Sequence, residues 1–138
     1  MRSRLAAFQA QWSVTDLKLE SSRCSLEIIP IKGLRALHGC NALAGKAGSL
    51  IGLAFDTSLP TSQLVTSIAH EMIHVKQLAR GTLVFSTKRG KDIAFWRGKK
   101  VDLPYLERPW EIEAYGKQEI LARRFNEFVS NFAEGLKL

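Results

Sequence analysis

The chain has 138 residues, of which 46% are hydrophobic and 24% are charged, and its net charge is +7. This balance excludes a disordered chain, and no apolar run approaches the roughly 20 residues that a membrane-spanning helix needs. A chain of this length can bury a core without disulfides. We therefore predict one domain over residues 1–138, with free thiols at Cys24 and Cys40.

The first elements follow from hydrophobic patterning. The apolar stretch that follows two early arginines is too short for a signal peptide and is interrupted by glutamines. We therefore predict an amphipathic helix over residues 3–13 and expect a cytoplasmic protein. Residues 25–31 predict a strand, which Pro30 places at a sheet edge or near the strand's end. The glycine-rich stretch 32–49 predicts mostly loops, and residues 50–56 predict a second strand.

The following segment predicts a long helix from about Ser62 to Arg80. Thr61 or Ser62 can cap its start by accepting a hydrogen bond from a free backbone N–H group. Gly81 lies just past its end, where a left-handed residue is favoured.

The remaining elements are a hairpin over residues 82–87 and 92–96 and a final helix that begins at Pro109. Apolar residues recur along that helix at helical spacing. The predicted order is therefore a short helix, two strands, a long helix, a hairpin and a second long helix. This order predicts an α+β domain with a small, largely antiparallel sheet.

The centre of the long helix reads HEMIH, from His70 to His74. Residues four apart lie on one helix face about one turn apart, so the two imidazoles can bind a single Zn²⁺ ion. Glu71 points about 100° away from His70, where its carboxylate can act as the catalytic base on a zinc-bound water. A chance HExxH in a chain of this composition has odds on the order of 0.4%.

A catalytic zinc site needs a third protein ligand. The final helix offers Glu111 and Glu113, which lie about 200° apart around the helix axis, so only one of them can face the metal. Glu111 can instead complement the helix dipole in the first turn. Glu113 lies near Trp110 and Ala114 on the packed face, where a carboxylate needs a partner, and we predict it as the ligand, with Glu111 as the alternative.

HEMIH followed by Pro-Trp-Glu-Ile-Glu-Ala resembles the gluzincins, whose third ligand is a glutamate on a downstream helix. In several gluzincin families that glutamate precedes an alanine, as Glu113 precedes Ala114. The small size is similar to the minigluzincins and the SprT-like peptidases, including uncharacterised phage and bacterial members. The sequence lacks the extended metzincin motif. The resemblance implies a zincin-like fold and zinc-dependent cleavage of peptide or protein substrates.

The resemblance also implies that the strand before the active-site helix, here Leu50–Phe55, binds substrate in extended form. The alternative is that this strand is an ordinary part of the sheet. Hydrolysis by water further requires a group that stabilises the oxyanion. Tyr115, Tyr105 and His38 are candidates, and we favour Tyr105 because its loop leads into the ligand helix.

A cluster of six basic residues supports a competing function. It comprises Lys88, Arg89, Lys91, Arg97, Lys99 and Lys100. The alternative to a peptidase is a non-catalytic metal-binding module that docks to protein or nucleic acid through this basic hairpin, and a plain solvated surface is a third interpretation. No feature of the sequence indicates an oligomeric state.

Overall fold

A computed structural model describes residues 2–135 and shows an α+β chain with four α-helices in that range. A short 3₁₀ turn, Tyr105–Glu107, precedes the last helix. In chain order the elements are α1 (Arg2–Asp16), β1 (Ser25–Ile31), α2 (Leu34–His38), β2 (Ala42–Ala47), β3 (Leu50–Asp56), α3 (Thr61–Ala79), β4 (Leu83–Lys88), β5 (Lys91–Trp96), β6 (Lys99–Val101) and α4 (Pro109–Gly135).

The strands form two three-stranded sheets. In the first sheet β3 is central, with β1 parallel on one side and β2 antiparallel on the other. In the second sheet β5 is central and both pairings are antiparallel. The prediction of small, largely antiparallel sheet structure is confirmed, as is the position of Pro30 on an edge strand.

The prediction of loops over residues 32–49 was wrong, because this stretch contains α2 and β2. The sequence of β2 is Ala-Leu-Ala-Gly-Lys-Ala, which lacks the β-branched and aromatic residues typical of strands. Pairing with β3 along its whole length stabilises it instead. Helix α2 is held at its start by the Asp56 carboxylate, which accepts hydrogen bonds from the N–H groups of Gly33 and Arg35.

The ends of α3 confirm one prediction and correct another. Gly81 has a left-handed φ of 71°, as expected just past a helix end. The predicted side-chain cap is wrong, since Pro60 occupies the N-cap position and no side chain bonds there. Thr61 is already helical, and the first backbone hydrogen bond of the helix runs from the Leu64 N–H to the Pro60 carbonyl.

Helix α3 lies at the centre of the molecule. It contacts α1 and α4 on one side and β2 and β3 of the first sheet on the other. Ile68, Ala69 and Met72 are fully buried in the core that these elements share. None of the helices in the described part of the chain has the length and apolar content needed to span a bilayer.

Candidate metal site and cleft

Three side-chain atoms meet where α3 packs against the start of α4. The Nε2 atoms of His70 and His74 are 3.1 Å apart, and the Glu111 Oε1 atom lies 3.0 Å from the first and 3.1 Å from the second. All three residues are buried, each less than 9% exposed. The histidines come together because they lie one helical turn apart on the face of α3 that α4 covers.

The carboxylate beside the histidines is therefore that of Glu111, and the placement predicted for Glu113 was wrong. The Glu113 carboxylate accepts hydrogen bonds from the Gln77 side chain at 3.0 Å and from Lys117 at 3.2 Å. The error came from judging the buried face of α4 by Trp110 and Ala114 alone. The full stripe also includes the residues Leu121, Ala122 and Phe125.

The angular positions on α4 explain this outcome. At 100° per residue, Glu111 lies about 40° from the centre of the whole buried stripe, whereas Glu113 lies about 120° from it. Glu111 therefore faces α3. Glu113 is left on the flank of the helix, where it is half-buried.

Hydrogen bonds behind the imidazoles fix which ring nitrogen carries the proton. The Gln77 amide nitrogen donates to the Trp110 carbonyl at 3.1 Å and to the Glu113 carboxylate at 3.0 Å. Its oxygen must then accept the proton of His74 Nδ1, which is 2.8 Å away. His70 Nδ1 lies 2.7 Å from the Gln118 oxygen in the same way. When neutral, both rings therefore direct the lone pairs of Nε2 at each other and at Glu111.

Three lone-pair donors at this separation repel one another unless a cation or a shared proton lies among them. A tetrahedral ion with ligands at about 2.0–2.1 Å holds those ligands about 3.3 Å apart. The observed separations of 3.0–3.1 Å are close to this value. The residues present thus fit a small divalent cation, and His70, Glu71 and His74 likewise form a group able to hold a metal ion.

The ionisation of this cluster follows from its contacts. Burial opposes the charged form of Glu111, but protonated histidines donate hydrogen bonds to it from Nε2–H and add their positive charge, which together lower the pKa of Glu111 to about 2. Burial likewise disfavours protonated His74, but the Glu111 carboxylate, and then Glu71, raise its pKa overall. Glu111 is therefore a carboxylate at neutral pH, as a metal ligand must be.

Glu71 lies beside the cluster rather than within it. Its ligand atom lies within 4.8 Å of those of the two histidines. Burial raises the pKa of Glu71, while the two nearby histidines and the Ala44 backbone N–H partly offset this effect. A carboxylate with a raised pKa is suited to accept and pass on a proton near neutral pH.

A cleft of about 870 Å³ opens beside the histidine cluster. His70 and Glu71 lie in its wall, together with both tyrosines, Tyr105 and Tyr115, and the Cys40 thiol. Both cysteines are free and half-buried, as predicted. His38 is exposed on α2 and does not line the cleft, so it was a poor candidate for an oxyanion donor.

The tyrosines lie next to the cluster. The Tyr105 and Tyr115 hydroxyls are 3.3 Å apart, and the Tyr115 ring packs edge-on against His70 with centroids 4.5 Å apart. Burial raises the pKa of Tyr105 well above its ordinary range, and the hydroxyl of Tyr115 and the charge of Glu111 add to this. Tyr105 therefore keeps its proton and can donate a hydrogen bond into the cleft.

The strand predicted to bind substrate is not available for that role. Leu50–Phe55 belongs to β3, whose two sides pair with β1 and β2. Within residues 2–135 the outer edge of β2 pairs with no other strand, and Cys40, Asn41 and Ala42 at its start line the cleft. The N–H of Ala44 points from this edge to Glu71.

The basic residues lie on the second sheet, away from the cleft. We call strands β4–β6, residues 83–101, the basic sheet. All six cations of the sequence cluster are exposed there. Val84 and Phe85 are also about half exposed, whereas Leu83 is buried and Trp96 packs against the core.

Gln77 and Gln118 were missed by sequence reasoning. Helical spacing could have identified both as neighbours of the site. Gln77 is three residues after His74, and Gln118 is seven residues after Glu111, on the same face of α4. Neither could be found from HExxH itself. Their role depends on which surfaces of α3 and α4 face each other.

Searches with the whole chain found no matching family model, no matching curated protein and no matching solved structure. The site is therefore interpreted from its own geometry.

Proposed function

We propose that the protein is a zinc-dependent endopeptidase. The ligands are His70, His74 and Glu111, and Glu71 is the catalytic base. The observation that carries the proposal is the triangle of Nε2, Nε2 and Oε1 atoms at 3.0–3.1 Å, with both Nδ1 atoms already engaged by glutamine oxygens. A zincin-like relationship is part of this proposal and has the HEMIH helix as its support.

The donor set favours zinc over other divalent ions. Two imidazoles and one carboxylate suit Zn²⁺, whereas Mg²⁺ and Ca²⁺ prefer sites built from oxygen ligands alone. Zinc bound by three protein ligands supplies Lewis-acid chemistry that acidifies water to a pKa near 7. Glu71, which faces the cleft beside the ligands, takes up the proton from the attacking water and returns it to the leaving amine.

The cleft supports an extended peptide as substrate. Its volume of about 870 Å³ is within the range that accommodates several side chains. The outer edge of β2 offers backbone N–H and C=O groups to a peptide that adds as a further strand. Because Ala44 on that edge contacts Glu71, a peptide bound there has its backbone beside the base.

Tyr105 and Tyr115 are the candidates for stabilising the oxyanion. Their hydroxyls lie together at the cleft wall, where a hydroxyl hydrogen can be donated to a developing negative charge. We retain Tyr105 as the predicted donor and add Tyr115, which contacts His70 directly.

Glu71→Gln tests the catalytic proposal. The substitution keeps the shape of the side chain but removes its basicity, so we expect cleavage of an unfolded protein substrate to fall by about 10²–10⁴-fold while bound zinc is retained. Glu119→Gln is the matched control, since Glu119 is an exposed carboxylate on α4 and should retain full activity. Unaltered cleavage by Glu71→Gln would exclude Glu71 as the base.

A second candidate is a non-catalytic metal-binding module that docks to nucleic acid through the basic sheet. The six exposed cations of that sheet favour it. It predicts zinc binding without hydrolysis in the wild type, and oligonucleotide affinity that falls steeply as salt is raised. Salt-independent or absent oligonucleotide binding would exclude this candidate.

A further inference from the structure

A second cavity, of about 560 Å³, lies on the opposite flank of α4 from the cleft. It is bounded by the end of α1 and the turn after it, by the C-terminal half of α3, and by α4. It has no lining residue in common with the cleft beside the histidines. It is therefore a separate cavity from the proposed peptidase site.

Positive charge converges on this cavity. Five cationic side chains line it against two carboxylates, which leaves a surplus of three charges; the cations are Lys18, Lys76, Arg80, Lys117 and Arg124. The two carboxylates are already engaged: Glu113 pairs with Lys117 at 3.2 Å, and Asp16 with Arg124 at 3.5 Å. The surplus therefore rests on Lys18, Lys76 and Arg80.

The arrangement on α3 places two of these cations in mutual repulsion. Lys76 and Arg80 are one turn apart on the same helix face, where like charges destabilise a helix. Within residues 2–135 the Lys76 ammonium has no hydrogen-bond or ion-pair partner. An anion among these groups would offset the repulsion.

The third surplus cation occupies an unfavourable backbone position. Lys18 lies two residues past the end of α1 with a left-handed φ of 58°, and the N–H of the following Leu19 donates to the Val14 carbonyl. This is the helix ending at which glycine is normally preferred, because a Cβ is strained there. The chain nevertheless places a lysine at this point, on the rim of the cavity.

Apolar side chains complete the walls. Leu17, Ile73, Ile120 and Leu121 lie between the cations. The cavity thus combines charge for an anionic group with apolar surface for an uncharged portion, and its volume is within the range of small-molecule sites. Guanidinium and ammonium groups together are the usual ligands of phosphate oxygens.

We propose that this cavity binds a small organic polyphosphate, with Lys18, Lys76 and Arg80 holding the phosphates and Leu17 and Ile120 contacting the remainder. Binding requires no metal in the histidine cluster. The charge surplus of three matches a di- or triphosphate better than a single carboxylate.

Calorimetric titration with inorganic pyrophosphate and with ATP tests the proposal. We expect both to bind the wild type, ATP more tightly because of its additional contacts, and Lys76→Gln/Arg80→Gln to weaken both by more than about tenfold. The charge-matched control is Lys99→Gln/Lys100→Gln on the basic sheet, which should bind as the wild type does. Equal weakening by the two double variants would mean general charge attraction, and absence of binding to the wild type would equally overturn the proposal.

Lys18→Gly is a second variant that cannot be mistaken for misfolding. It relieves the left-handed backbone position, so its melting temperature should be equal to or above that of the wild type, while its affinity for ATP should fall. Unchanged ATP affinity in this variant would remove Lys18 from the site.

A single-stranded oligonucleotide whose binding falls in the Lys99/Lys100 variant but not in the Lys76/Arg80 variant would bind the basic sheet rather than the cavity. If instead the oligonucleotide competes with ATP for the cavity, then the cavity binds the phosphates of nucleic acid, and the small-molecule proposal fails.

Discussion

The first sheet with α3 and α4 differs sharply from the basic sheet in how it uses polar residues. Behind the histidines, between α3 and α4, the polar side chains are buried or half-buried and have defined partners: His74 with Gln77, Gln77 with Glu113 and Trp110, His70 with Gln118. On the basic sheet the charged side chains are exposed and surround no common point.

This difference shows how strongly each region indicates a function. A buried polar network is costly unless every member is satisfied, so its presence indicates a function that depends on geometry. A run of exposed cations lowers stability little and does not require any particular arrangement of the neighbouring side chains. The HEMIH helix therefore supports a specific chemistry, whereas the basic sheet supports at most a docking surface.

The largest expected contrast between the two regions is in stability. Phe125 is 1% exposed and packs against Phe8 and Trp12, whereas Phe85 is 51% exposed and touches Trp110 at its edge. We expect Phe125→Ala to lower the free energy of unfolding by about 3–5 kcal/mol and Phe85→Ala by about 1 kcal/mol or less. Urea denaturation at neutral pH measures both. Equal losses would mean that the basic sheet is as tightly packed as the core around α3.

A smaller effect is expected from the hydrogen bonds behind the histidines. Gln77→Leu removes the acceptor for His74 Nδ1 and leaves the ring free to turn or to change tautomer, so zinc affinity should fall by about 10–100-fold. Gln11→Leu, an exposed change of the same kind on α1, is the control. Competition with a zinc chelator gives both affinities. Equal affinity in the two variants would show that Gln77 has no part in orienting His74.

The smallest effect concerns acid stability. Hydrogen bonds from the Ser58 hydroxyl and from the backbone N–H groups of Arg35, Ser58 and Gly33 lower the pKa of Asp56 below its ordinary value of 3.8. The stabilisation is therefore fully present above that value and is lost as the pH falls through the lower pKa of the folded state. Unfolding measured from pH 6 down to pH 2 should show a steeper loss in the wild type than in Asp56→Asn. Parallel curves for the two proteins would exclude Asp56 as a source of the loss of stability at low pH.

Much of the fold could be predicted from the sequence. Strands β1 and β3 and helices α3 and α4 have strong hydrophobic periodicity, and their predicted positions agree with the structure to within a few residues. Strand β2 could not be found, because alanine and glycine carry no strand signal and only its pairing with β3 makes it a strand. The substrate strand was instead inferred from the resemblance to gluzincins, and the alternative that it is an ordinary part of the sheet agrees with its pairing to β1 and β2.

The candidate site was predictable to the same degree. The spacing of His70, Glu71 and His74 is local to one helix, so the sequence alone placed them together. The choice between Glu111 and Glu113 depends on how α4 is rotated against α3, which is a tertiary property set by the whole buried stripe out to Phe125. Local arguments about the first turn of the helix favoured the wrong residue for that reason.

Zinc content measured on Glu111→Ala and Glu113→Ala beside the wild type tests the central claim most directly. All three proteins are purified without added metal and analysed for zinc per chain. We expect about one zinc in the wild type, little or none in Glu111→Ala, and retained zinc of reduced affinity in Glu113→Ala, because Glu113 only holds Gln77 in place. Loss of zinc from Glu113→Ala but not from Glu111→Ala, or a folded wild type without zinc, would contradict the proposed site.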